Sequence, residues 1–111
     1  MRKLSLAFVL AVLPLGAFAE TWTGVSLVDG MCHAQVKGNV DAHTTSCALK
    51  CASSGYGIYT PDGTWLKLDD KGNQEAVAAL QKTKRKDHLR VNVEGTRKGD
   101  VIEVASLTLP D

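Results

Sequence analysis

A chain of 111 residues with 13 basic and 12 acidic side chains is long enough for one small domain and is nearly neutral. This balance excludes nucleic-acid or membrane binding driven by overall charge, because both need a clear excess of lysine and arginine. A domain of this size has a core that stabilises it only modestly.

The first 19 residues have the pattern of a cleavable secretory signal. The basic residues Arg2 and Lys3 are followed by the apolar run Leu4 to Gly16. The cleavage site Ala17-Phe18-Ala19, with small residues at its first and third positions, comes next. The run of about 13 residues is shorter than the roughly 20 that a spanning helix needs. We therefore expect cleavage after Ala19, no membrane span, and one periplasmic or secreted domain over residues 20–111. Cleavage leaves 11 basic against 12 acidic residues, a further argument against nucleic acid.

The first half of the mature chain predicts a strand, a short helix and a hairpin. Residues 21–29, TWTGVSLVD, have the β-branched and aromatic composition of a strand. Residues 44–53 predict a short helix with Asp41, Thr44 or Thr45 as the candidate N-cap. YGIYT (56–60) and TWLKLD (64–69), separated by Pro61-Asp62-Gly63, predict two strands joined by a turn.

The second half predicts a helix and two strands. Residues 73–82 carry an apolar stripe one helical face wide, with Asn73 as the N-cap. HLRVNVEG (88–95) alternates apolar and polar side chains, and DVIEVASLTL (100–109) is apolar almost throughout. The order β-α-β-β-α-β-β predicts an α+β, mainly β fold. We expect a five-stranded barrel like the oligonucleotide/oligosaccharide-binding (OB) fold, with a cysteine-bearing helix inserted between strands 1 and 2. An open α+β sandwich is the alternative.

Four short motifs resemble those of a group of small exported bacterial proteins with an OB-like fold. They are Trp22-Thr23-Gly24, Asp29-x-x-Cys32, Cys47-x-x-x-Cys51 and the closing VNVEGTRKGDVIEVASL. The resemblance covers most of the mature chain. It implies the fold and the exported location, and it implies no activity, since that group has no established one.

All three cysteines and two of the three histidines lie between Met31 and Cys51. Cys47 and Cys51 are four residues apart on the predicted helix, and the end of the first strand can bring Cys32 to the same place. Three thiolates with His43 or His33 as a fourth ligand suit zinc or copper. His43 is the preferred fourth ligand if the helix begins after it. Zinc or copper is therefore the candidate cofactor, and the sequence establishes no other.

A disulfide among Cys32, Cys47 and Cys51 is the other interpretation of the cluster. Exported proteins meet oxidising conditions, and a bridge from Cys32 to the helix closes a loop of about 15 residues, worth roughly 3 kcal/mol. One thiol then stays free. The two functional hypotheses are accordingly an exported metal-binding module and a disulfide-stapled domain that binds an envelope protein or a glycan. The partner itself is unknown.

Aromatic side chains on the predicted hairpin are candidate ligand-binding residues: Tyr56, Tyr59 and Trp65. The basic run after the second helix fits a solvated helix end better than a nucleic-acid site. No catalytic motif is present, and adjacent residues such as Cys32 and His33 point apart on a strand. We expect a non-enzymatic protein with no catalytic residues.

Overall fold

The fold was analysed in a computed structural model that describes residues 19–111. The predicted signal segment up to residue 18 lies outside the described residues. The regular elements follow in chain order: β1 (Glu20–Asp29), α1 (His33–Val36), α2 (Thr45–Lys50), β2 (Tyr56–Tyr59), β3 (Trp65–Leu68), α3 (Asp70–Lys82), β4 (Arg90–Lys98) and β5 (Val101–Thr108). Within this range no helix has the length and apolar character needed to cross a bilayer.

The five strands close into a barrel in the order β1-β2-β3-β5-β4, and β4 pairs back onto β1. All pairs are antiparallel except β3 with β5, which is parallel. The OB-like prediction is confirmed, and closure excludes the open sandwich.

Alternating apolar side chains fill the barrel. In β4 the buried positions are Val91, Val93 and Gly95, while Glu94 between them is exposed. Ile58 of β2 lies opposite Leu66 of β3, and both are fully buried. One face of β3, β4 and β5 therefore supplies the core, as the period of two requires, whereas residues 25–29 of β1 and 56–58 of β2 are buried on both faces.

A β-bulge shifts the register of β1 on β4 between Trp22 and Val25. Gly24 sits in the bulge with a φ of 64°, a conformation that favours glycine, and its N–H donates to Asn92 Oδ1 at 2.9 Å. Both Trp22 and Val25 are thereby buried.

Helix α3 begins three residues earlier than the sequence predicts. Asp69 is the N-cap, because its side chain accepts the N–H of Gly72, and Asn73 lies inside the helix with its Oδ1 accepting the N–H of Tyr56 at 2.8 Å. A Cβ at Gly72 would lie 2.5 Å from Val104 Cγ2, so the glycine allows close packing of α3 on β5.

The connection between β1 and β2 contains more than the one predicted helix. Besides α1 and α2 it has two single 3₁₀ turns, Val40–Ala42 and Ala52–Ser54. Thr44 caps α2 by accepting the N–H of Cys47 at 3.1 Å, and the helix gives way to the second 3₁₀ turn after Lys50. The prediction of one helix through Ser53 was too long at its end, and of the three candidate caps Asp41, Thr44 and Thr45 the structure has Thr44.

Candidate metal centre

The end of β1 places a carboxylate inside the protein. Asp29 has no solvent exposure, and its backbone pairs with Tyr56 of β2. One carboxylate oxygen, Oδ2, accepts the N–H of Cys32 at 3.0 Å. The other, Oδ1, lies 2.7 Å from His43 Nε2, which donates to it because a carboxylate only accepts. Asp29 therefore fixes both the chain after β1 and the histidine before α2.

Helix α2 is held over this end of the barrel by contacts at its two ends. Thr45 donates from its N–H to the carbonyl of Lys86 at 2.9 Å and from its hydroxyl to that of Arg85 at 2.7 Å. The Tyr56 hydroxyl donates to the carbonyl of Ala48 at 2.8 Å. These contacts position Cys51, the residue that follows the helix, beside the end of β1.

Three potential metal ligands meet here. A carboxylate oxygen of Asp29 and the sulfurs of Cys32 and Cys51 all lie within 4.8 Å of one another. Around a tetrahedral zinc such ligands would be separated by about 3.5 to 3.8 Å, given bonds of roughly 2.0 Å to oxygen and 2.3 Å to sulfur. The donor set and its spacing therefore fit a soft divalent ion after a small contraction.

The surroundings keep the Cys32 thiol protonated in the absence of a metal. Burial, the charge of Asp29, the nearby Cys51 and hydrogen bonds to both raise the pKa of Cys32. Burial, followed by Asp29 and Cys51, also raises the pKa of Tyr56 to about 12. The site thus disfavours ionisation of the Cys32 thiol and the Tyr56 hydroxyl. A metal cation bound among these groups would instead favour the thiolate form of Cys32.

The two histidines of the cluster have different positions. His43 precedes α2, as the condition for its ligand role required, and its Nε2 is engaged with Asp29. His33 stacks on the indole of Trp65 with ring centroids 4.0 Å apart and planes 10° apart. Among the described residues, neither histidine belongs to the group of three converging donors.

Cys47 is exposed and also lies outside that group. The sequence placed Cys47 and Cys51 on one helical face. In the structure Cys51 is the C-cap residue, with φ −103° and ψ 21°, so the geometry of two residues inside one helix does not apply to it. The pair of neighbouring thiols is Cys32 with Cys51.

The three aromatic candidates for ligand binding divide between core and surface. Tyr56 is buried in the core, so its ring is not a surface platform. Tyr59 and Trp65 are partly exposed neighbours on β2 and β3. The Tyr59 hydroxyl donates to the carbonyl of His33. The indole of Trp65 lies against Gly57, where a Cβ would come within 2.4 Å of Cε2.

Sequence reasoning did not include Asp29 among the ligands, although it noted the Asp29-x-x-Cys32 motif. The signal that could have identified Asp29 is the alternation of side-chain direction along a strand. Leu27 and Asp29 are two residues apart on β1, so a buried Leu27 predicts that the aspartate also faces inward. A carboxylate at such a position needs partners, and its neighbours in sequence are the cysteine and histidine cluster.

We find no significant match for this chain among models of known protein families, curated proteins or solved structures. The candidate function therefore rests on the geometry of the site.

Proposed function

We propose that this protein is an exported, non-enzymatic binding module that holds a soft transition metal, zinc or copper, on Cys32, Cys51 and Asp29. The observation that carries the proposal is the convergence of the three donor atoms within 4.8 Å. Thiolate sulfur selects zinc and monovalent copper over magnesium or calcium. A fourth position is left for water or a ligand from outside the chain.

Charge balance supports this assignment. Two thiolates and one carboxylate carry three negative charges, and a divalent ion neutralises two of them. His43, donating to Asp29 Oδ1, orients the carboxylate. Since binding must displace thiol protons and the pKa of Cys32 is raised, we expect zinc affinity to increase with pH through the neutral range.

The raised pKa of Cys32 also supports the non-enzymatic part of the proposal. Thiol–disulfide exchange and thiolate catalysis need a thiol with a lowered pKa in an electropositive setting. Cys32 has a carboxylate and a second thiol beside it instead.

Elemental analysis of untagged protein purified from the periplasm tests the proposal. We expect about one zinc or copper per chain, and a loss of most of it in the Cys32→Ser and Cys51→Ser variants. Cys47→Ser is the matched control, because Cys47 is exposed and outside the donor group. The proposal fails if the purified protein contains no stoichiometric zinc or copper and shows only one titratable thiol after denaturation.

A disulfide between Cys32 and Cys51 is the second candidate state, favoured by the closeness of the two sulfurs. The disulfide would close a loop of about 19 residues and stabilise the folded domain by about 3 kcal/mol. The function of the domain would then be to bind an envelope protein or a glycan. Intact mass after alkylation of denatured protein separates the two states. The metal site predicts three alkylated cysteines without reductant, and the disulfide predicts Cys47 alone.

A further inference from the structure

A pocket of about 410 Å³ lies on the barrel, and it is lined by none of the cysteines and by neither His33 nor His43. Its walls come from the bulge of β1, the connection after α1, the turn between β2 and β3, and the start of β4. Ser26 is central, because its backbone pairs with Tyr59 of β2 on one side and with Arg90 of β4 on the other. Three polar side chains thus form a row across three neighbouring strands.

Ser26 has a hydroxyl without a partner. The residue is 7 % exposed and no group among residues 19–111 hydrogen-bonds to its Oγ, but the oxygen itself is not one of the buried polar atoms that lack a partner, so it opens to solvent in the pocket. A polar ligand atom in the pocket would replace solvent at this hydroxyl. Thr23 adds a further hydroxyl to the walls, whereas the Thr60 hydroxyl is already bonded to Asp62 and Thr64 within its turn.

The pocket also has a positive charge that no acidic group balances. Arg90 is paired with Asp41 through Nη2–Oδ2 at 2.7 Å and Nε–Oδ1 at 3.2 Å, and this pairing lowers the pKa of Asp41. Lys37 has no ion pair within the described part of the chain. Its Cε lies 3.9 Å from the position of a Cβ at Gly63, so the side chain extends along the turn that forms one wall.

No aspartate or glutamate lines the pocket. The nearest acidic residue in the turn is Asp62, whose carboxylate accepts hydrogen bonds from the Thr60 hydroxyl and the Thr64 N–H. These bonds lower the pKa of Asp62 and hold the carboxylate within its own turn. Lys37 is left as the free cation of the pocket.

We propose that this pocket binds a carboxylated sugar, such as a uronic-acid unit of an acidic glycan. The carboxylate pairs with Lys37, sugar hydroxyls bond to Ser26 and Thr23, and the Tyr59 ring offers apolar surface at the wall. Nucleic acid carries a phosphate on every nucleotide and would need several free cations rather than one. The inference names a ligand class for the glycan-binding function above, and it holds whether Cys32 and Cys51 bind metal or form a disulfide.

Calorimetric titration of the purified protein with trigalacturonate tests the inference, with maltotriose as the neutral comparison. We expect saturable binding of the acid, about tenfold stronger than that of the neutral sugar, from one charge-assisted contact. Lys37→Gln should weaken binding about tenfold and Ser26→Ala about threefold. Lys82→Gln, which removes an exposed lysine from the end of α3, should leave binding unchanged.

Amide shifts of the wild-type protein give a readout that needs no variant. Trigalacturonate should move the amide signals of Ser26, Lys37 and Thr60. The proposal is overturned by absence of binding, by equal binding of maltotriose, by full binding in Lys37→Gln, or by stronger binding of a thymidine oligonucleotide or an acidic peptide. Repeating the titration with Cys51→Ser separates this result from the metal proposal, because the pocket should still bind when the metal site is lost.

Discussion

The barrel and the connection between β1 and β2 are stabilised in different ways. The strands and α3 supply nearly all of the core, whereas residues 30–55 contribute only two buried side chains, His43 and Ala48. The connection is held instead by hydrogen bonds to the barrel, among them His43 to Asp29 and Tyr56 to Ala48. We therefore expect the barrel to unfold as one unit and the connection to open locally at a lower free energy.

This difference matters for the candidate metal site, because its donors come from both parts. Asp29 belongs to the rigid barrel, while Cys32 and Cys51 lie at the two ends of the connection. A metal or a disulfide would tie these ends together and raise the free energy of local opening. The substitutions below test that contrast in order of decreasing effect on stability.

Leu66→Ala should have the largest effect. Leu66 is fully buried in β3, so its truncation leaves a cavity in the barrel and should lower the free energy of unfolding by about 3 kcal/mol. Urea unfolding followed by far-ultraviolet circular dichroism measures it. Met31→Ala, at a residue that is 66 % exposed in the connection, is the control and should change stability little. Equal effects of the two changes would contradict the assignment of the core to the barrel.

Asp29→Ala should come next, at about 2 kcal/mol, since it leaves the Cys32 N–H and His43 Nε2 without their buried acceptor. Hydrogen exchange should show the loss mainly as faster exchange in α2 rather than in β4.

Asp29→Asn is the matched variant for this contact. Its amide can still accept from Cys32 and donate to a neutral His43, so it should retain much of the stability while losing the negative charge that a metal ligand needs. An equal loss of stability in both variants would show that the charge, rather than the hydrogen bonds, holds the connection.

Alkaline pH should destabilise the barrel through Tyr56. Because its pKa rises from 10.0 in the unfolded chain to about 12 in the folded one, the folded chain binds more protons between these values, and the free energy of unfolding falls as pH rises. We expect a loss of about 2 kcal/mol across this range, measured by urea unfolding at successive pH values. Tyr56→Phe should flatten the decline.

Tyr59→Phe serves as the comparison, since the chain has two tyrosines and burial also raises the pKa of Tyr59. In Tyr59→Phe most of the decrease in the free energy of unfolding at alkaline pH should remain. If Tyr59→Phe removes it instead, the titrating group is on the outer side of β2 and not under α2.

The sequence could predict the barrel elements but only part of the site. Strand alternation around Val91 and Val93 is visible because one face is buried and the other solvated. The start of α3 was misplaced because Gly72 is a poor helix former, and the close packing on Val104 that favours a glycine there is a tertiary effect. Likewise, the proximity of the Cys32 and Cys51 sulfurs depends on where α2 ends, which sequence spacing alone does not fix.

Thr44→Ala should have the smallest effect, and it separates the two regions most directly. Its side chain caps α2 by accepting the N–H of Cys47 at 3.1 Å, a contact worth about 1 kcal/mol. If the connection opens separately from the barrel, the loss should appear as roughly fivefold faster exchange of α2 amides with little change in global unfolding. Ser46→Ala, an exposed position in the same helix, should change neither.

The Thr44→Ala experiment also reports on the cysteines. A disulfide or a metal between Cys32 and Cys51 would anchor the connection at the far end of α2, so with either in place the increase in exchange should be smaller in the native protein than after reduction and chelation. If Thr44→Ala instead lowers the free energy of global unfolding by the full ~1 kcal/mol, α2 and the barrel form a single cooperative unit. If that loss is the same before and after reduction and chelation, no link between Cys32 and Cys51 strengthens this unit.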